Sequence, residues 1–454
     1  MSGSGAADLL GLARRVAGQA GAGEQLEAYV VRSEETEVEV YGGEVESLTT
    51  AGVEGIGIRV VVGGRQGLAW AGSLDPEVVA ETLAEARDNA RFSAPDEHCG
   101  LAVPADAAGV GPPHLDLWRD DLADVPTAEK VRLALELERA TRAGDPRIRN
   151  VEGAGYGDAR SESALATSTG IEAEARRTTC SASVAALADD GSGTQSGYGF
   201  TTGRTVTDLD LDAAARDAVV RSCRLLGAQP IPGRRIPVVL DPLVTRSFLG
   251  VCAGAFDGEA VLKGRSLFAD RLGEAVAAPG VRLVDDPTDP RAPGAARFDG
   301  EGIPTRRNEL VVDGVLQRFL HNVATGRRAG TPTTASATRS FASVPGVGVR
   351  ALRLEPGTAS VEEILRQAGD ALYVQSVSGL HSGTNPISGD FSVGAVGLLV
   401  RDGELGAPVR EVTIASTLQR MLLDVAAVGS DLVFLPGATA GLTLLIGEMT
   451  VSGA

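Results

Sequence analysis

In "ADLLGLARRVAGQ" apolar residues recur at helical spacing, and the chain then switches to strict alternation. That change of period, from about 3.6 to 2, predicts a helix followed by strands. "QLEAYVVRS" and "TEVEVYGGEVESLTT" read as strands around a Gly-Gly turn, and "GIGIRVVVGGRQGLAWAGS" as a hairpin through Gly63-Gly64. "LDPEVVAETLAEARDNARF" is a helix with Asp75 as N-cap and Pro76 at its first position. An α+β unit therefore spans residues 1–92.

From Ser93 the composition turns to Pro, Gly, Ala and Asp, which predicts a long connection that leaves His98 and His114 exposed. "TAEKVRLALELERATRAG" is an amphipathic helix, three strand-like stretches follow it, and "LDLDAAARDAVVRSCRLLGA" is a second helix ending at Gly227. Residues 93–232 thus form a linker and a central α+β domain. The Pro-rich "QPIPGRRIPVVLDP" marks a boundary, and residues 233–454 read as a strand-rich domain with few helices. "NELVVDGVLQRFLHN" and "FSVGAVGLLVRDGELGAPVREVTIAS" are hairpins turning at Asp313-Gly314 and Asp402-Gly403. "TLQRMLLDVAAVGSDL" reads as a helix and "LTLLIGEMTVSG" as a strand pair or a bent strand; no tandem repeat stands out. The fold class is α+β, with N-terminal α/β units followed by a strand-rich C-terminal domain.

The chain has 454 residues, enough for two or three cores, and 43% hydrophobic with 22% charged residues is a globular balance. A net charge of −18 argues against nucleic acid and anionic membranes as partners, since both reward cations. No basic stretch followed by an apolar run opens the chain, so no secretory signal is expected. No run of 18 apolar residues predicts a membrane span. Cys99, Cys180, Cys223 and Cys252 are dispersed without a CxxC pair, which fits a reducing, cytoplasmic location.

Candidate chemistry concentrates in "GLHSGTNPISGDFS", residues 379–392. A nucleophile elbow needs serine in the middle of G-x-S-x-G, whereas "GLHSG" places Ser382 fourth, beside His381. Neighbouring strand positions face opposite ways, so the two form no obvious nucleophile–base pair. The four histidines, His98, His114, His321 and His381, offer no pair at helical metal-ligand spacing, and "DEHC" at 96–99 reads as an exposed turn. "GSGTQSGYG" precedes strand-like residues and not a helix, and Lys263 precedes its glycine, so neither is a phosphate loop. Asp299 and Glu301 in "RFDGEGIPT" stand at the spacing of an acid/base pair and equally of a solvated turn.

The ordered series D-G-E-G, D-G-V-L, S-G-D-F-S, G-L-L-V-R-D-G-E, V-T-I-A and V-G-S-D-L resembles the TldD/PmbA family, from about residue 7 to the C-terminus. The resemblance implies a cytoplasmic metallopeptidase system of two related chains, paired as half-shells around a chamber that admits flexible peptides. Some members trim precursors of modified peptides. It implies that a TldD-type chain carries zinc on H-E-x-x-x-H and a C-terminal Cys, while the PmbA (TldE-type) chain lacks those ligands. Here the motif positions fall near Gly250, Val251 and Ala255; Cys252 is the nearby thiol, and "PGATAGLTLLIGEM" has no Cys. Alkyl groups and glycine cannot ligate zinc, which places this chain on the PmbA side.

The expectation is therefore a chamber-shaping subunit without its own cofactor, with zinc in a TldD-type heterodimer partner. His381, Ser382, Asn385, Asp390 and Ser392, with Asp299 and Glu301, are the candidate substrate-binding residues, and no catalytic residue is assigned. His381 either contacts peptide or closes its turn. Two other readings stand beside this one. The first is a metal-independent homodimeric hydrolase or lyase, in peptide or natural-product processing, using His381, Asp390 and Glu301. The second is a non-enzymatic peptide-binding protein.

Overall fold

Two-residue turns close two of the long hairpins of this protein. Gly42-Gly43 and Asp402-Gly403 all have positive φ, the backbone that closes a tight hairpin in register with twisted strands. A computed structural model describes residues 8–453; the stretch before Asp8, read above for a leader, lies outside the described residues. Helix α1 (Leu9–Ala17) is capped by the Asp8 carboxylate on the Gly11 N–H at 2.7 Å. Strands β1 (Glu24–Tyr41), β2 (Glu44–Val62) and β3 (Arg65–Ala71) follow, then helix α2 (Pro76–Phe92). After the connection come α3 (Thr127–Ala143), β4 (Ile148–Thr167), β5 (Glu172–Asp189), β6 (Thr194–Gly203) and α4 (Leu211–Cys223).

The sequence pattern divided β1 and β2 into shorter pieces. Each is one long strand, because neither Ser33–Glu35 nor Ala51–Gly55 contains a residue that must leave the ladder. All six strands form one antiparallel sheet, ordered β3-β2-β1-β4-β5-β6. The two halves are the same helix–three strands–helix unit used twice, joined where β1 pairs β4 from Glu27↔Thr167 to Val40↔Ala154. The register is symmetric about a point between Glu34 and Arg160, which form an ion pair at 2.7 Å.

Even-numbered β1 residues face the helices. Leu26, Ala28 and Val30 lie in a core under α1 and α2, and Val38 and Val40 in one under α3 and α4. Both halves bring the closing helix onto the third strand through glycine. A Cβ on Gly67 would sit 2.1 Å from the Ala86 carbonyl, and one on Gly197 would sit 2.2 Å from that of Ala218. The matching "QGLAW" and "SGYGF" carry this repeat in small-residue spacing alone, which a search for similar sequence stretches passes over.

In the third part, β7 (Arg234–Leu240) leads into helix α5 (Pro242–Cys252), capped by the Asp241 carboxylate on the Leu243 N–H at 3.0 Å. Strands β8 (Ala371–Ser378), β9 (Asp390–Arg401), β10 (Glu404–Thr417) and β11 (Leu444–Ser452) complete a sheet ordered β10-β9-β8-β7-β11. It closes on itself, because β11 also pairs with β10 at Thr413↔Ser452 to Ala415↔Thr450. The stretch expected as one helix at 417–432 is helical only at Leu418–Leu423; the β-branched Val425 and Val428 then pair as a strand with β11. Phe248, Phe256, Phe268 and Phe391 fill the largest core.

Candidate functional site: a polar cleft beside the long sheet

Odd-numbered β1 residues point away from the helices, and cross-strand register builds the opposite face of the sheet from them. One row reads Glu37, Gly157, Ser181, Thr202 and the next Glu35, Ala159, Thr179. Side chains this small leave the floor open. Over it stand the Pro290–Pro293 segment and the Pro436-Gly437 turn, enclosing a cleft of about 690 Å³. That size is typical of ligand sites.

The cations of the cleft gather at one end. Glu35 and Glu37 lie on the β1 side, and Arg119, Arg177, Arg204 and Arg291 on the other, together with Asp116 and Asp208. Arg119 is paired to Asp116 at 2.8 Å and Arg291 to Asp289 at 2.7 Å. Asp158 is held by Lys130 at 2.6 Å. Cys180 also borders the space, but burial pushes its thiol up to about 12, so it is no nucleophile at neutral pH.

Asp299 and Glu301 lie elsewhere, in a buried joint between the long sheet and the third part. The Asp299 carboxylate accepts the N–H groups of Glu301 at 2.9 Å, Ile303 at 3.0 Å and Ala337 at 3.0 Å, fixing its own loop. Glu301 accepts the Val323 N–H at 2.8 Å, at the start of helix α6 (Val323–Ala329), and faces Arg59 at 3.7 Å. Arg59 in turn makes a two-pronged pair with Glu27, at 3.0 and 2.8 Å. Arg339 closes the cluster on Glu27 and stacks over Tyr29 at 4.9 Å. Burial would raise the Glu27 carboxyl, but Arg59 and Arg339 outweigh it and hold it down at about 2. Glu301 moves the other way: burial and the neighbouring Asp299 and Glu27 raise it against the pull of Arg59.

His381, Ser382, Asn385, Asp390 and Ser392 come together on one exposed loop entering β9, and none of them borders the cleft. Asn385 takes the N–H groups of Ile387 and Ser388 at 2.9 and 3.2 Å, and Asp390 accepts the Ser388 hydroxyl at 2.6 Å. Ser382 donates to the Gly379 carbonyl at 3.3 Å. Ser392 points outward while Phe391 and Val393 enter the core. A second cavity, about 530 Å³, holds His321 with Arg306, Arg318 and Phe319; the His321 Nδ1 lies 3.2 Å from the Thr325 hydroxyl, and burial lowers its pKa.

The segment at the zinc-motif positions follows β7 as α5 and its continuation. A Cβ on Gly250 or Gly254 would meet nothing within 4 Å, whereas Cys252 and Ala255 are turned into the core. Burial raises the Cys252 thiol far above its ordinary value. One turn before Gly250, Arg246 donates to the Pro436 carbonyl, which joins this helix to the wall of the cleft. Among the described residues no three His, Cys, Asp or Glu side chains converge as a metal site. Zinc ligation does not fit the groups present on α5.

Arg177, Arg204, Glu35 and Glu37 carry no local sequence signal of a shared site. "ARRTTCSAS" and "SEETEVEVY" alternate as strands do, and only the pairing of β1, β4, β5 and β6 shows which residues share a face.

The long repeated sheet, the closed barrel and the cleft between them define an α+β protein organised around an inter-domain site. The chain belongs to the PmbA/TldD family. Models of PmbA/TldA metallopeptidase domain 1, central domain and C-terminal domain match residues 26–90, 120–226 and 232–453. The metalloprotease PmbA of Escherichia coli O157:H7 is 28% identical over 412 residues, covering 90% of this chain and 88% of the relative. A metalloprotease of Methanothermobacter thermautotrophicus is 30% identical over 314 residues, 68% of each chain. A Thermotoga maritima structure whose name refers to modulation of DNA gyrase superposes with a TM-score of 0.88 at 25% identity, covering 98% of both chains. TldE from Thermococcus kodakarensis shares the fold, with a TM-score of 0.86 at 23% identity over 94% of this chain and 97% of that one. No helix among the described residues is long and apolar enough to cross a membrane.

Proposed function

We propose that this chain is the PmbA/TldE-type subunit of a two-chain metallopeptidase, forming one wall of the peptide chamber while a TldD-type partner supplies zinc. The observation that carries the reading is α5. Near the family's ligand positions it offers Gly250 facing open space, Val251, and Ala255 turned into the core with the neighbouring Cys252 thiol, next to a cleft of ligand-site size. In the assembled pair the metal would polarise the scissile carbonyl and activate water, while this chain's open sheet face and the exposed 379–392 loop hold extended peptide.

The rival that places hydrolysis on His381, Asp390 and Glu301 is less well supported, since Glu301 is 1% exposed and committed to Arg59 and the Val323 N–H. Mixing the purified chain with a TldD-type chain and following cleavage of an unstructured peptide tests the proposal. Cleavage only in the mixture is expected; equal cleavage by this chain alone contradicts it.

A further inference from the structure

Arg177 and Arg204 differ from the other cations of the cleft. Neither has a carboxylate within 4 Å among the described residues, whereas Arg119 and Arg291 do. Their forks are aimed, not neutralised. Arg177 donates to the Pro293 carbonyl at 3.1 Å, and Arg204 to those of Pro290 at 3.1 Å, Thr178 at 3.4 Å and Ala292 at 3.5 Å. The Asp208 carboxylate is occupied by the N–H groups of Arg204 and Thr205, at 2.9 and 3.2 Å.

Burial depresses both arginines, and a like charge adds to it, Arg350 acting on Arg177 and Arg177 on Arg204. Asp116 and Asp208 offset this on Arg204 only from beyond ion-pair distance. Two neighbouring guanidinium groups with no directly paired carboxylate, at the rim of an open cavity, suit a ligand that brings the anion. A carboxylate matches the fork geometry with two parallel hydrogen bonds. Beneath them Ala159, Thr179 and Ser181 leave room for a peptide main chain. Glu35 and Glu37 lie two strands away, about 10 Å by strand spacing, and repel an anion placed at that end.

We infer that Arg177 and Arg204 form a carboxylate clamp that seats the C-terminal end of a bound peptide on the β4–β5 floor. The inference rests on the peptide-chamber reading above and adds a direction to it.

The test is binding of fluorescent hexapeptides to the full chain. One peptide has a free C-terminus, one a C-terminal amide, and one an amide plus a single Glu side chain; the first two have no acidic side chains. The free acid is expected to bind about ten- to a hundredfold tighter than its amide. Arg177→Gln with Arg204→Gln should abolish that difference. Equal binding of acid and amide by the unaltered chain overturns the clamp without touching the chamber reading, and it needs no variant to fold. A Glu-bearing amide that matches the free acid overturns the terminal assignment in favour of side-chain carboxylates. Failure of every peptide to bind overturns the chamber reading and the clamp with it.

Discussion

Glu27 and Glu301 face the same guanidinium, Arg59, from different parts of the chain, and they respond to pH in opposite senses. Glu27 is held down at about 2, so its contribution is fully present above its unfolded value of 4.5 and is lost as pH falls through 2. Glu301 is raised, so its contribution is present below 4.5 and disappears as pH rises through its folded value. Glu27→Gln leaves Arg339 buried without its charge partner and Arg59 with only the more distant Glu301, and is expected to cost about 3–5 kcal/mol in chemical denaturation at pH 7. Glu301→Gln keeps an acceptor for the Val323 N–H, and its melting temperature relative to the unaltered protein should improve from pH 5 to pH 8. A difference that does not change with pH would show that Glu301 is not raised in the folded state. "RFDGEGIPT" left a solvated turn and an acid pair equally open because the residues that bury it, Glu27 and Arg59, come from strands more than 200 positions earlier.

At the scale of elements, the hairpins were legible because their turns are local: Gly42-Gly43, Gly63-Gly64, Asp313-Gly314 and Asp402-Gly403 all turn where the pattern placed them. Strand lengths and the 417–432 stretch were not, since pairing partners decide both. The glycine contacts behind the repeated unit can be tested directly. Gly197→Ala puts a methyl group 2.2 Å from the Ala218 carbonyl and 2.3 Å from the Ser222 nitrogen. It should cost about 1–3 kcal/mol, read as a lower denaturation midpoint. Gly250→Ala on α5 meets open space and should instead raise stability by up to about 1 kcal/mol, the usual helix preference for alanine. A loss of stability there would mean that something packs on that helix face.

For the whole molecule, buried charge joins apolar packing in holding the parts together. Asp241 caps α5, pairs with Arg221 at 2.9 Å and accepts the Tyr373 hydroxyl at 2.6 Å, tying the central domain to the barrel. Asp241→Ala strands all three donors, and unfolding should separate into two transitions, or shift down by about 3–5 kcal/mol if it stays single. The functional claim turns on whether the chain binds its own metal. Elemental analysis of the purified, partner-free chain after zinc loading and gel filtration addresses it most directly. Far less than one zinc per chain is expected, and a retained stoichiometry of one overturns the assignment to the zinc-free side of the pair.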